Sequence, residues 1–115
     1  MSSCTIYHNP RCSKSRQALN LLKEKGLEPK IIEYLNDVPS VKEIEGLIKA
    51  SGEDCQNFLR KKEAEYAEVK PEDLSTAKNV AKVIHKYPRL LQRPIVCYNE
   101  KTVIARSEGW DQGLI

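Results

Sequence analysis

The first sixteen residues constrain the fold more than any other stretch. An apolar, partly β-branched run, Cys4-Thr5-Ile6-Tyr7, stops at Asn9-Pro10, and a helical pattern begins just past Cys12. A strand that turns into a helix within a few residues places Cys12 at the helix N-terminus. Unpaired N–H groups and the helix dipole favour an anion there. His8 lies just upstream, and Arg11, Lys14 and Arg16 crowd the same turn. Helix N-termini and neighbouring cations lower a thiol pKa from about 8.5 to roughly 3.5–7.5, and the thiolate is the nucleophile. The same amides and cations cradle an oxyanion. The turn therefore predicts a reactive cysteine in an anion-binding loop.

The rest of the chain extends this junction into an α/β pattern. Residues 13–25 read as a helix, with Ala18, Leu19 and Leu22 at helical spacing and Gly26 as its stop. Beyond Pro29, Ile31-Ile32-Glu33-Tyr34-Leu35 reads as a second strand. Strand, helix and strand make a βαβ unit with a right-handed crossover. Asp37-Val38-Pro39 is a turn, and Ser40-Val41-Lys42-Glu43 is a capping box. The helix it opens carries Val41, Ile44, Leu47 and Ile48 on one face and ends before Gly52. Cys55 to Lys62 reads as a short helix and residues 63–74 as loop. Ser75 can cap a third helix with Val80, Val83, Ile84 and Tyr87 as its stripe and Pro88 as its stop. Leu91 to Tyr98 reads as a strand entered through Pro94. The turn Asn99-Glu100-Lys101 joins it to Thr102-Val103-Ile104-Ala105 as a hairpin. This order is similar to the thioredoxin-like fold, a four-stranded mixed sheet with flanking helices. A helical insertion separates strands two and three. In that fold the proline opening the third strand, here Pro94, is cis and faces the active cysteine.

Composition excludes several function classes. The 115 residues fit a single domain, 1–115. No apolar run approaches the ~20 residues of a membrane span. No basic and apolar leader opens the chain, so a cytoplasmic protein is expected. The net charge of +3 comes from basic residues interleaved with acidic ones, which argues against nucleic acid. The cysteines at 4, 12, 55 and 97 include no CxxC pair and no zinc-type spacing with histidine, which argues against a metal site. Cys4 and Cys97 read as small buried hydrophobes in strands. Cys55, in a mixed segment, is either an ordinary residue or a resolving thiol. His85, between Lys82 and Lys86, reads as an exposed helix residue without a role.

Several motifs in order resemble the glutaredoxin-linked arsenate reductase family over nearly the whole chain. They are Tyr7-His8-Asn9-Pro10, Cys12, Ser15-Arg16, Glu33-Tyr34-Leu35, Leu59-Arg60-Lys61, Arg93-Pro94-Ile95-Val96 and Arg106. The resemblance implies that Cys12 attacks arsenate and that His8 supports its low pKa. It also implies that Arg60, Arg93 and Arg106, with Asn9 and Ser15, bind the oxyanion. It implies glutathione as co-substrate, glutaredoxin as partner and no bound cofactor. Guanidinium forks suit a tetrahedral oxyanion because they bind it bidentately and keep their charge.

The chain departs from the family pattern after Arg106. Ser107-Glu108-Gly109-Trp110-Asp111-Gln112-Gly113-Leu114-Ile115 has two glycines and little periodicity, where family members often carry a longer segment with an apolar helix. Trp110, Leu114 and Ile115 are expected to cover the exposed sheet edge instead. Two other functions compete. Cys12-Ser13-Lys14-Ser15 has the single-cysteine CxxS layout of a glutathione-dependent thiol oxidoreductase, which has no need of the three arginines. A related redox-sensing transcription regulator usually has a CxxC pair, and Ser15 stands at its second position.

Overall fold

The computed structural model describes residues 4–106 and 109–112. The chain forms two compact units, one running up to Asp37 and resuming at Arg93, the other spanning Val38–Gln92.

The first unit contains β1 (Cys4–Tyr7), α1 (Ser13–Glu24), β2 (Lys30–Ile32), β3 (Ile95–Tyr98) and β4 (Lys101–Ile104). The strand order is β2-β1-β3-β4. β1 runs parallel to β2, and β1–β3 and β3–β4 are antiparallel. This is the expected four-stranded mixed sheet of the thioredoxin-like fold. Register decides which side chains meet α1. Cys4 lies opposite Tyr98 and Ile6 opposite Val96, so these four share one face. Ala18 and Leu22 of α1 close over that face, with Ala105 beside them. Ile6, Leu22 and Val96 have no exposed surface, and burying such a side chain contributes about 1.5–3 kcal/mol. Trp110, expected at the sheet edge, packs against this cluster. Asp111 pairs with Lys25 at 3.3 Å, fastening the final segment to the end of α1. Leu114 and Ile115 lie outside the described residues.

Three boundaries differ from the sequence reading. β2 stops at Ile32 because the N–H groups of Asn36 and Asp37 both turn back to the Glu33 carbonyl, each at 2.9 Å. Tyr34 therefore sits in a turn, fully buried. β3 begins at Ile95, since Pro94 has no N–H to give a ladder. Leu91 belongs to the second unit, where it bridges Leu59. The hairpin turn is two residues rather than three. Tyr98 pairs with Lys101, and Asn99 and Glu100 take φ of 48° and 72°. Two left-handed residues in a two-residue loop match the twist of antiparallel strands.

The second unit packs α2 (Val41–Ser51) against α3 (Ala77–Lys86), with short 3₁₀ turns around them. Ser40 Oγ accepts from the Glu43 N–H at 3.1 Å, as the capping box requires. Gly52 ends α2 at φ 70°, a conformation that glycine adopts without strain. Thr76, not Ser75, caps α3, accepting from the Asn79 N–H at 3.1 Å. The Ser75 hydroxyl instead donates to the Glu72 carbonyl at 2.8 Å. The helix expected from Cys55 to Lys62 is a single 3₁₀ turn, Cys55–Phe58, because Leu59 is extended to meet Leu91. His85 is exposed as expected, and its Nδ1–H donates to the Pro39 carbonyl at 2.9 Å.

Candidate active site

The local sequence builds the loop before the helix. Asn9 Oδ1 accepts from the Arg11 N–H at 3.0 Å, an Asx turn that reverses the chain after β1. The Cys12 N–H then donates to the Asn9 carbonyl, and the Arg16 N–H donates to the Cys12 carbonyl, both at 3.0 Å. These bonds place Cys12 at the N-cap of α1, in extended conformation with φ −95° and ψ 124°. Arg16 Nη1 donates to the Pro10 carbonyl at 2.8 Å and closes the turn from outside.

Ser15, fully buried one turn into α1, braces the loop from inside. Its Oγ accepts from the Asn9 N–H at 3.0 Å and lies 2.5 Å from His8 Nδ1. The side chains of Asn9 and Ser15 are thus engaged in shaping the loop.

Cys12 is half-buried. Burial pushes its thiol pKa up, but opposing interactions outweigh burial and leave it below the usual thiol value. These are the backbone N–H of Ser15, a hydrogen bond from Arg93, the backbone N–H of Lys14 and the charge of Arg93. The helix N–H groups act as the sequence suggested, but the cation differs from those the turn offered. Arg11 and Arg16 are exposed, and Lys14 acts through its main chain. The cation at the sulfur is Arg93, which is remote in sequence. His8 is not a charged partner either. Burial pushes its pKa down, with the charges of Arg16 and Lys23 adding to this and Glu33 opposing. A neutral His8 supports the loop through Ser15.

Arg93 precedes Pro94 across a cis peptide bond, as the fold resemblance implied. Its guanidinium interacts with Cys12 and with the buried Tyr34, and both raise its own pKa. Its Nε is buried with no partner among the described residues. Buried N–H donors are nearly always paired, so this one marks a place for an acceptor supplied by a ligand. Arg106 lies behind. Its Nη1 donates to the Arg93 carbonyl at 2.7 Å, and the Ala105 N–H donates to the Pro94 carbonyl at 2.9 Å. Arg106 thus props the segment that carries Arg93. Arg60 lies in the second unit, where its Nη1 pairs with Glu63 at 2.9 Å.

The other cysteines have different surroundings. Cys4 is buried, and burial, reinforced by Cys97, raises its pKa. Cys55 is half-buried and its thiol donates to the Leu74 carbonyl at 3.6 Å. Cys97 lies 3.4 Å from Thr102 Oγ1. Among the described residues, no group of three or more His, Cys, Asp or Glu gathers to hold a metal, and no helix is long and apolar enough to cross a membrane.

Because thiolate reactivity appears as pH rises through the pKa, the lowered value predicts that Cys12 alkylates first, at a pH where Cys4 is inert. Peptide mapping after brief iodoacetamide treatment checks this. Equal labelling of Cys4 and Cys12 in the folded protein would sink the activated-thiolate reading. Raising salt should slow iodoacetate more than iodoacetamide, since only the charged reagent feels the site's positive field.

Sequence reasoning missed Tyr34. It sat within the quoted run Glu33-Tyr34-Leu35 but read as one more apolar strand residue. Only the early end of β2 turns it toward Arg93.

Known proteins resemble this chain in sequence and fold. The sequence profile of the ArsC family matches residues 7–112. The chain is 41% identical over 103 residues to the uncharacterized protein YfgD of Escherichia coli K12, covering 88% of this chain and 87% of that protein. It is 38% identical over 106 residues to an arsenate reductase of Haemophilus influenzae, covering 90% and 91%. An arsenate reductase structure from Vibrio cholerae superposes with a TM-score of 0.81 at 35% identity, covering 96% of this chain and 93% of that one. With the family profile spanning nearly all of the sequence and these relatives matched along most of their own length, this chain belongs to the ArsC family.

Proposed function

We propose that this protein reduces arsenate to arsenite through a covalent adduct on Cys12, with glutathione and glutaredoxin supplying the electrons. One observation carries the reading. A thiol of lowered pKa stands at the N-cap of a helix, beside an arginine whose Nε is buried without an acceptor among the described residues. A nucleophile beside an unfilled oxyanion donor is what attack on a tetrahedral oxyanion needs.

The chemistry balances with two external thiols. The Cys12 thiolate forms an S–As bond, and an arsenate hydroxyl leaves as water after protonation. Glutathione displaces a second hydroxyl as water, so arsenic carries both sulfurs. A glutaredoxin thiolate then attacks the glutathione sulfur. An S–S bond forms, and the As–S electron pair stays on arsenic. As(V) becomes As(III) while two thiols become one disulfide. Water displaces Cys12 and arsenite leaves. Arg93 stabilises first the thiolate and then the adduct oxygens. The family resemblance adds Arg60 and Arg106 to the oxyanion set. Asn9 and Ser15 serve the reading by holding the loop, through hydrogen bonds accepted by Asn9 Oδ1 and Ser15 Oγ.

The test is arsenate-dependent NADPH oxidation with glutathione, glutaredoxin and glutathione reductase, run beside a thioredoxin and thioredoxin reductase arm. Turnover in the first arm alone is expected. Turnover only with thioredoxin would keep the reductase and overturn the donor. Inactivity in both arms, with Cys12 still glutathionylated, would favour the CxxS thiol oxidoreductase.

A further inference from the structure

We infer that a cavity along α1 seats the glutathione co-substrate, a short peptide with a carboxylate at one end and an amino-acid head at the other. The cavity measures about 600 Å³, a size typical of small-molecule sites. It lies within the first unit, between α1 and the segment that follows β4. Lys14, Gln17, Leu21 and Glu24 line one wall, at the three- and four-residue spacing of a single helix face. Arg106, Trp110 and Asp111 line the other. Ala18 and Ala105 form the floor, each 2% exposed. Alanines at that level leave room that larger side chains would fill.

Charge is graded along the cavity. Lys14 stands just after Cys12, and Arg106 donates to the carbonyl of Arg93, the cation at the sulfur. The end beside the nucleophile is therefore basic. Glu24, the last residue of α1, and Asp111 make the other end acidic. The helix dipole runs the same way, favouring an anion at the start of α1 and a cation at its finish. The side chains of Lys14, Gln17 and Glu24 have no partner among the described residues. From Lys14 to Glu24, α1 rises about 15 Å, and an extended tripeptide spans roughly 10–12 Å. The glycine carboxylate fits between Lys14 and Arg106, whose guanidinium keeps donors beyond the Nη1 used on Arg93. The ammonium of the γ-glutamyl head fits beside Glu24 and Asp111. Lys25, paired with Asp111 at 3.3 Å, offers a cation to the carboxylate next to that ammonium. Gln17, between the ends, offers an amide to the peptide groups. The ligand's cysteine then lies one residue from the basic end, on the Cys12 side. A neutral or purely anionic ligand would leave one end unmatched.

The assignment rests on the electron donor proposed above, but binding is readable without turnover. Trp110 is the only tryptophan of the chain, so its fluorescence reports on this cavity. S-methylglutathione, which cannot form an S–As bond, should perturb that fluorescence with a Kd of about 1 mM, at the weak end of ordinary substrate affinities. Glu24→Lys, at an exposed position, should weaken binding about fivefold, the loss of one accessible charge contact. Acetylating the ligand's amine should weaken binding to wild type about as much and to Glu24→Lys no further, because both changes remove the same contact. In the arsenate assay, KM for glutathione should rise by the same factor in Glu24→Lys. No response of the fluorescence or of the α1 amide NMR shifts at about ten times the expected Kd would overturn the inference. Equal affinity in Glu24→Lys, or full additivity with acetylation, would overturn it too. Binding with these effects but no arsenate turnover keeps the cavity and overturns the proposed reaction. Glutathione-dependent turnover with an unchanged KM for glutathione in Glu24→Lys keeps the reaction and overturns the cavity.

Discussion

Cys12→Ser should abolish arsenate turnover, by about a thousandfold or more, while leaving the fold intact or slightly firmer. The two halves of this expectation rest on the same position. A serine hydroxyl stays protonated at any working pH, so the amides of Ser15 and Lys14 and the charge of Arg93 no longer stabilise an anion there. Cys12 is also the N-cap of α1, and its backbone is already extended as a cap requires. Serine is among the preferred N-caps, worth about 1 kcal/mol over residues that cannot cap. The melting temperature should therefore hold or rise by a few degrees, which separates lost chemistry from lost structure. The stability comparison depends on pH with a defined sign. A thiol whose folded pKa is lowered contributes stability in full above its unfolded value, about 8.5. That contribution fades as pH falls through the folded value. Any advantage of the serine variant should accordingly be largest at low pH and shrink toward pH 8.5. A variant that retained turnover would show that Cys12 is not the nucleophile.

The sequence made the nucleophile legible because its determinants are local. Asn9-Pro10 ends a strand, α1 begins within a few residues, and a cysteine between them must cap the helix. The sheet was legible for a similar reason, since each strand is a short apolar run bounded by proline, glycine or a polar turn. Half of the thiol's activation was legible, since the amides of Ser15 and Lys14 follow from the helix N-terminus, but the cation was not. Arg11, Lys14 and Arg16 are close in sequence but exposed, and the stabilising charge comes from Arg93, eighty-one residues away. The direction of the His8 pKa was not legible, because burial, which lowers it, is a property of the packed protein. The end of β2 was misplaced because the Glu33 carbonyl takes two turn bonds that no apolar pattern announces. Tyr34 was hidden by that same error.

Arg93→Met should raise the alkylation midpoint of Cys12 and lower kcat/KM for arsenate by about two to three orders of magnitude. Methionine matches much of the arginine stem, so packing around Pro94 and Tyr34 changes little while the charge and all donors disappear. Hydrogen bonds to charged groups are worth about 1.5–3 kcal/mol each. Arg93 makes one to the sulfur and offers a buried Nε–H to the oxyanion. Losing both costs about 3–4 kcal/mol, and each 1.36 kcal/mol is tenfold in rate. The midpoint moves upward because burial still opposes the thiolate, and only the amides of Ser15 and Lys14 remain against it. Arg93→Lys refines the assignment. It restores charge but not the planar fork, so it should recover part of the thiol shift and little of the arsenate affinity. Recovery of both would mean that charge alone suffices and that fork geometry is unimportant. No loss of either in Arg93→Met would remove Arg93 from the site. The corresponding change at Arg106 should be milder on the thiol. Its guanidinium reaches the Arg93 carbonyl, so it acts on Cys12 only by holding in place the segment from which Arg93 extends.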